Sequence, residues 1–183
     1  MSKIIDNLYV GDIDDAGDEK WLTSNNITHI LSGIENAKWL PDAVNASGRQ
    51  HLCFEFDDLP ESNIAQYFEQ VVAFIHKARL NNEGVLVHCY MGMSRSVTFA
   101  ISYVHCISGL PIDDCLTAIR KARHIAYPNP GFVDQLLEFS QNNDTKTIIQ
   151  PYSGQSEDIQ NLNMLISQAS ELSKDFTPFS KSK

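Results

Sequence analysis

The stretch Val85-Leu86-Val87-His88-Cys89-Tyr90-Met91-Gly92-Met93-Ser94-Arg95-Ser96-Val97 changes its periodicity midway. The apolar run from Gly84 to His88 reads as a strand. From Ser94 the apolar residues take helical spacing, through Val97, Phe99, Ile101, Val104 and Cys106, until Gly109, which suits a helix C-cap. Between the two lies a short loop. A strand–loop–helix junction turns backbone N–H groups inward at a helix N-terminus, and that makes an anion site. Gly92 lets the loop curl where a Cβ would obstruct it. Arg95, six residues after Cys89, can return a planar guanidinium to the anion, and phosphate oxygens suit its paired donors. Cys89 then sits among inward amides and a helix dipole, which favours thiolate over thiol. A thiolate is a strong nucleophile, and a phosphate held by Arg95 is within its reach. Alone at a strand end, Cys89 would read as a small buried hydrophobe; beside His88, Gly92, Arg95 and Ser96 it reads as a nucleophile that must face an open cleft. His88 alone would read as a satisfied core histidine; here it supports the loop and tunes the sulfur.

Outward from this segment, three more short runs look like strands: Leu8 to Val10, Thr28 to Leu31, and His51 to Phe56. Helical patterns fill the intervals near Asp15 to Ser24 and from Ile64 to Leu80. A further helix spans Ile112 to Ala122, and another follows Asn129-Pro130, an N-cap with proline at the first helical position. Strands alternating with helices, then helices alone, predict an α/β domain. Its centre is a mostly parallel sheet of four to five strands flanked by helices. After Gln141 the composition turns polar, then regains helical spacing from Asp158 to Ser173. The expected organisation is a domain over residues 1–142, then a polar linker and an amphipathic helix over 143–183. That helix could pack on the domain, bind a partner or stay disordered.

The chain carries 14 Lys+Arg against 23 Asp+Glu, a net charge of -9, which repels nucleic acid and anionic lipid. An anion site must therefore be built locally. No metal-ligand cluster stands out, and the thiolate chemistry needs neither metal nor cofactor. Cys53, Cys89, Cys106 and Cys115 show no CxxC pairing, so free thiols in a reducing compartment are expected. No stretch approaches the length of a membrane span and Met1 to Gly11 does not read as a signal peptide, so the expected location is cytoplasmic, with the nucleus open.

The run His88-Cys89-x-x-Gly92-x-Ser94-Arg95-Ser96 resembles the signature of the protein tyrosine phosphatase superfamily. Its Ser-Arg-Ser ending resembles the dual-specificity branch, in particular the small atypical members of the JNK-stimulatory type. The likeness extends over residues 3–141: Lys3 to Gly11 resembles the opening strand, and Asn25 to Leu31 and Tyr127 to Phe132 also fit. The resemblance implies a three-layer fold and a double displacement. In it Cys89 attacks phosphorus, and Arg95 with the loop from Tyr90, Met91, Gly92 and Met93 to Ser94 binds the phosphate oxygens. Ser96 helps the thiolate leave, and a carboxylic acid protonates the leaving oxygen before acting as base on water. Counting back from Ile64 in the family pattern assigns that acid to Asp58, with Asp57 as its rival and a turn residue as the bland reading of Asp57. By the same resemblance Asn129, read from the residues as a helix cap, supports the catalytic loop. Arg123 takes a position that in relatives meets a second substrate phosphate; read plainly it is a surface or ion-paired arginine.

Tyr90, Met91 and Met93 are not basic, which argues against the more highly charged phosphoinositides and RNA 5′-phosphates as substrates. The expected substrates are phosphoproteins, signalling kinases among them, carrying phosphotyrosine and phosphoserine/threonine. A phosphate-binding module without turnover and a sulfur-transferring rhodanese are the other readings of such a loop. Many relatives begin Met-Gly and are myristoylated; this chain begins Met1-Ser2, so no membrane anchor is carried over.

Overall fold

The structure, a computed structural model, describes residues 1–45, 48–141 and 155–174, the side chains of 155 and 168–174 apart. Among them, five strands form one sheet: β1 (Ser2–Ile5), β2 (Leu8–Gly11), β3 (Ile27–Ile34), β4 (Gln50–Glu55) and β5 (Gly84–His88). Their spatial order is β1-β2-β5-β3-β4, and only the β1–β2 pair is antiparallel. The expected mostly parallel sheet is thus present, with β5 at its centre. Every residue of β5 is buried, because both faces of the strand are covered.

The pleat sends alternate residues to different cores. Val85 and Val87 join the larger cluster, with Phe68, Val72, Val97, Phe99, Ile101 and Phe132. Leu86 joins the smaller one, with Ala16, Leu22, Ile30 and Val44. Short helices α1 (Ile13–Gly17) and α2 (Glu19–Ser24) cover the second face. Helices α3 (Phe68–Leu80), α4 (Arg95–Ser108), α5 (Ile112–Ala122) and α6 (Pro130–Gln141) build the first.

Three expectations are refined. The opening strand over Lys3 to Gly11 is a hairpin: Asn7 takes φ 61° and reverses the chain between β1 and β2, a conformation asparagine tolerates. The helix near Asp15 to Ser24 is two helices, because Asp18 leaves helical geometry and its side chain accepts from the Trp21 amide at 3.0 Å. That local bond competes with continuing α1. The helix from Ile64 opens as a 3-10 turn, Ala65–Tyr67, before α3 begins.

The C-terminal amphipathic pattern forms α7 (Gln155–Lys174), which lies against α4, α5 and β1. Its Leu162 is fully buried, and Leu165 and Ile166 pack on the larger core. Asp158 accepts from the Arg79 guanidinium at 2.5 Å, and both side chains are buried. Arg79 also donates to the Tyr103 hydroxyl at 2.9 Å and to the Asp6 carbonyl at 2.8 Å, tying α7 to α4 and to the β1–β2 turn. Of the three alternatives for this helix, packing on the domain is the one found. The linker expected after residue 142 lies outside the described residues as far as 154, as does the end of the chain beyond 174. No helix among the described residues is long and apolar enough to cross a membrane.

All four parallel strands point their C-terminal ends to one edge, where ligands bind in open α/β sheets. Asp12, Glu35 and Cys89 follow directly on β2, β3 and β5, and Asp58 stands three residues beyond β4.

Candidate active site

Between β5 and α4 the chain curls through Cys89 to Ser94. Gly92 makes the tightest part, at φ 67°. A Cβ there would fall 2.2 Å from Arg123 Nη2 and 2.6 Å from the Gly11 carbonyl oxygen, so no other residue fits. The carbonyls of the loop are drawn outward by donors from neighbouring elements. Tyr90 O accepts from the Ile13 amide at 3.2 Å, and Met93 O from the Tyr127 amide at 2.8 Å. Gly92 O accepts from Arg123 Nε at 2.6 Å, and Met91 O from Arg123 Nη2 at 3.5 Å. On the opposite side the Gly92 amide donates to Cys89 Sγ at 3.2 Å, and Ser96 Oγ lies 3.3 Å from the same sulfur. Both contacts bring a hydrogen-bonding group onto the sulfur.

Ser94 stands at the N-cap of α4, yet its hydroxyl caps no helix amide. It donates instead to Asp58 Oδ1 at 2.7 Å. The first amides of α4 are therefore left for an anion, with the helix dipole behind them.

Cys89 is 1% exposed, but it lines a pocket of about 310 Å³ with Arg95, Asp58, Ser94 and Glu35. Its sulfur thus faces a cleft. Tyr90, Met91, Met93 and Tyr127 form the rest of the wall. Arg95 enters from the first turn of α4, and its Nη1 donates to the Phe56 carbonyl at 3.2 Å. Its Nη2 pairs with Glu35 Oε1 at 2.9 Å. Its Nε lies 3.4 Å from Asp58 Oδ2, near enough for charge attraction but without a hydrogen bond.

Asp58 is gathered from three directions. Besides Ser94 and Arg95, Asn129 Nδ2 donates to its Oδ1 at 2.6 Å. Asn129 also caps α6, its Oδ1 accepting from the Phe132 amide at 3.0 Å, and its own amide donates to Ser94 Oγ at 3.0 Å. Asn129 thus caps α6 and bonds to both Ser94 and Asp58. Asp57 is exposed and takes no part in the pocket lining. The loop carrying Asp58 packs tightly on α6: a Cβ on Gly131 would fall 2.2 Å from the Pro60 carbonyl oxygen.

His88 is fully buried under the loop. Its Nε2 lies 2.6 Å from Ser32 Oγ, which in turn lies 2.9 Å from His51 Nε2, and its Nδ1 is 3.4 Å from the Cys89 carbonyl oxygen. Burial drives its pKa down to about 4, with the Cys89 carbonyl opposing, so the ring is neutral near pH 7. Arg123 is neither a surface residue nor turned into the pocket. It is buried, it braces the loop carbonyls, and its Nη2 lies 3.6 Å from Asp12.

Sequence reasoning missed Glu35, Ser32 and Arg123's bracing role. Glu35 had one usable signal, an acid directly after a parallel strand that neighbours β5. Burial raises the Glu35 pKa, but the hydrogen bond and charge of Arg95 outweigh it and hold the carboxyl below the usual range. Among the described residues no group of three or more His, Cys, Asp or Glu side chains is placed to hold a metal ion.

The chain is 42% identical over 142 residues to dual specificity protein phosphatase 22 of Xenopus tropicalis, covering 78% of this chain and 66% of that one. It therefore spans about two thirds of that relative's length. The human protein of the same name is 39% identical over 142 residues, covering 78% of this chain and 74% of the relative. A crystal structure of DUSP15 superposes with a TM-score of 0.72 at 35% identity, covering 90% of this chain and 95% of that one. Residues 8–142 match the sequence profile of the dual specificity phosphatase catalytic domain. With that match over most of its length, the chain belongs to the dual specificity phosphatase family.

Proposed function

We propose that the chain is a cysteine-dependent protein phosphatase that hydrolyses phosphotyrosine and phosphoserine/threonine through a cysteinyl-phosphate intermediate. The observation that carries this reading is the meeting of Cys89 Sγ, the Arg95 guanidinium and the Asp58 carboxyl in one pocket. In the first step Sγ bonds to phosphorus as the phosphorus–oxygen bond of the substrate breaks, and Asp58 gives its proton to the leaving oxygen. Arg95 and the loop amides take the three non-bridging oxygens. In the second step water attacks phosphorus, Asp58 accepts its proton, and the sulfur leaves as thiolate with the Ser96 hydroxyl 3.3 Å away to stabilise it. His88 and Asn129 act as positioning residues.

The charge in the pocket favours a phosphomonoester over more highly charged substrates. Among the described residues Arg95 is the one cation that lines it, beside Glu35 and Asp58. Arg123, the other arginine near the loop, spends its guanidinium on the loop carbonyls and Asp12. Phosphoinositides and RNA 5′-phosphates, with their extra negative charge, lack a second cation to meet it. Phosphoproteins, signalling kinases included, are the substrate class that fits.

A substrate panel tests this: an aryl phosphate, phosphotyrosine, phosphoserine and phosphothreonine peptides, phosphoinositides and a 5′-triphosphate RNA, with wild type beside Cys89→Ser. Turnover of the aryl phosphate and phosphopeptides by wild type alone is expected. Phosphoinositide or RNA turnover exceeding that of peptides would overturn the substrate class. Equal turnover by Cys89→Ser would overturn the mechanism. No turnover of any substrate would mark a binding module.

A further inference from the structure

Next to the catalytic pocket runs a larger groove of about 870 Å³, lined by Ile13, Asp14, Asp18, Glu35, Trp39 and Tyr90 among others. Glu35 and Tyr90 line both cavities, so the two adjoin. A polypeptide whose phosphorylated side chain sits over Cys89 has this groove as its neighbouring surface. The groove has an aromatic wall. Trp39 is 51% exposed, Tyr90 is 49% exposed, and their rings meet edge to face at 6.0 Å. Such open aromatic surface at the mouth of a site is typical of contact surfaces.

Its charge has one sign. Asp14, Asp18 and Glu35 line it, Glu35 at the boundary with the catalytic pocket, while among the described residues no lysine or arginine does. Glu35 is committed to Arg95, which leaves Asp14 and Asp18 to face an occupant. Both are exposed. Building on the phosphatase reading, we propose that this groove takes the segment flanking the phosphorylated residue of a protein substrate and selects segments carrying arginine or lysine. The aliphatic stem and cation of such a residue lie against Trp39, and its charge is answered by Asp14 and Asp18. The indole face, the carboxylates and the shared Glu35–Tyr90 boundary all call for the same occupant. An acidic flank meets repulsion there, reinforced by the chain's net charge of -9.

The test uses the full chain and phosphotyrosine peptides of one parent sequence, in which arginine, alanine or glutamate is walked along both flanks. An aryl phosphate serves as the control. At one or more flanking positions kcat/KM is expected to fall in the order Arg, Ala, Glu, with arginine roughly three- to tenfold above alanine. The double variant Asp14→Asn/Asp18→Asn should lose that preference while turning over the aryl phosphate as before; asparagine keeps the cap that Asp18 gives α2. Trp39→Ala should reduce it likewise. Equal rates for the three peptide series in wild type, with normal aryl phosphate turnover, overturn the proposal and leave the phosphatase reading standing. A preference that survives the double variant also overturns it. Absence of aryl phosphate turnover in wild type overturns the phosphatase reading, and the groove's role falls with it.

Discussion

Asn129 donates its side-chain amide to Asp58 Oδ1 at 2.6 Å across 71 residues of sequence. A helix cap on α6 and the carboxyl at the pocket mouth are thereby one unit. If Asp58 is the proton donor, Asp58→Ala lowers kcat on a phosphopeptide by roughly 10²–10⁴, and Asp57→Ala changes it little. Asn129→Ala lowers kcat less, and adding it to Asp58→Ala costs almost nothing more, because its effect runs through the carboxyl it holds. Steady-state kinetics of the four variants decide the matter. A large loss in Asp57→Ala would move the acid by one residue.

Glu35 holds Arg95 Nη2 at 2.9 Å, at the place where a phosphate dianion also seeks the guanidinium. Glu35→Gln keeps an acceptor but removes a competing negative charge. Inorganic phosphate should then inhibit roughly two- to fivefold more tightly, a modest gain because the carboxylate is partly solvated. Inhibition constants for phosphate in both proteins measure it. An unchanged or weaker inhibition would mean that Glu35 aligns Arg95 and does not compete with the ligand.

Arg123 braces the Gly92 and Met91 carbonyls from below. Arg123→Lys loses the fork and leaves buried acceptors short of a donor, which costs about 1–3 kcal/mol of stability. The urea midpoint should fall, and kcat/KM with it, since the curl of the loop sets the amide that meets Cys89. An unaltered midpoint would contradict the bracing role.

His88 gives a pH dependence with a definite sign. Its pKa is about 4 in the fold, set first by burial, against an ordinary value of 6.5. Between those values the unfolded chain binds the extra proton, so stability is complete above the unfolded pKa and falls as pH drops toward the folded one. Going from about pH 7.5 to about pH 5.5 should remove about 1 kcal/mol through His88 alone. His51, lowered by burial, and His29, lowered by burial against the opposing charge of Glu83, add in the same direction. Urea midpoints at the two pH values test this, with His88→Gln expected to flatten the difference.

Read alone, the sequence disclosed the elements that rest on local signals. The apolar run of β5 followed by helical spacing, the glycine C-cap at Gly109 and the Asn129-Pro130 start of α6 each lie within a few residues of what they specify. The loop between β5 and α4 was legible for the same reason, since Cys89, Gly92, Ser94, Arg95 and Ser96 fall within eight consecutive residues. Local bonds too short for a periodicity argument stayed hidden: the hairpin at Asn7 and the break at Asp18 each turn on one residue.

What the amino-acid order determined by itself was the alternation of strand and helix and the chemistry of one loop, because period and turn residues act over short distances. Only the tertiary structure decided which carboxylates face that loop. The parallel ordering of β2, β5 and β3 brings Asp12 and Glu35 beside Cys89 from opposite sides of the sheet's centre. Packing of the Pro60 backbone against Gly131 accompanies the placing of Asp58, and not Asp57, in the wall of the pocket that Cys89 lines. These placements come from burying the sheet between two helical layers, and no neighbour in the chain encodes them.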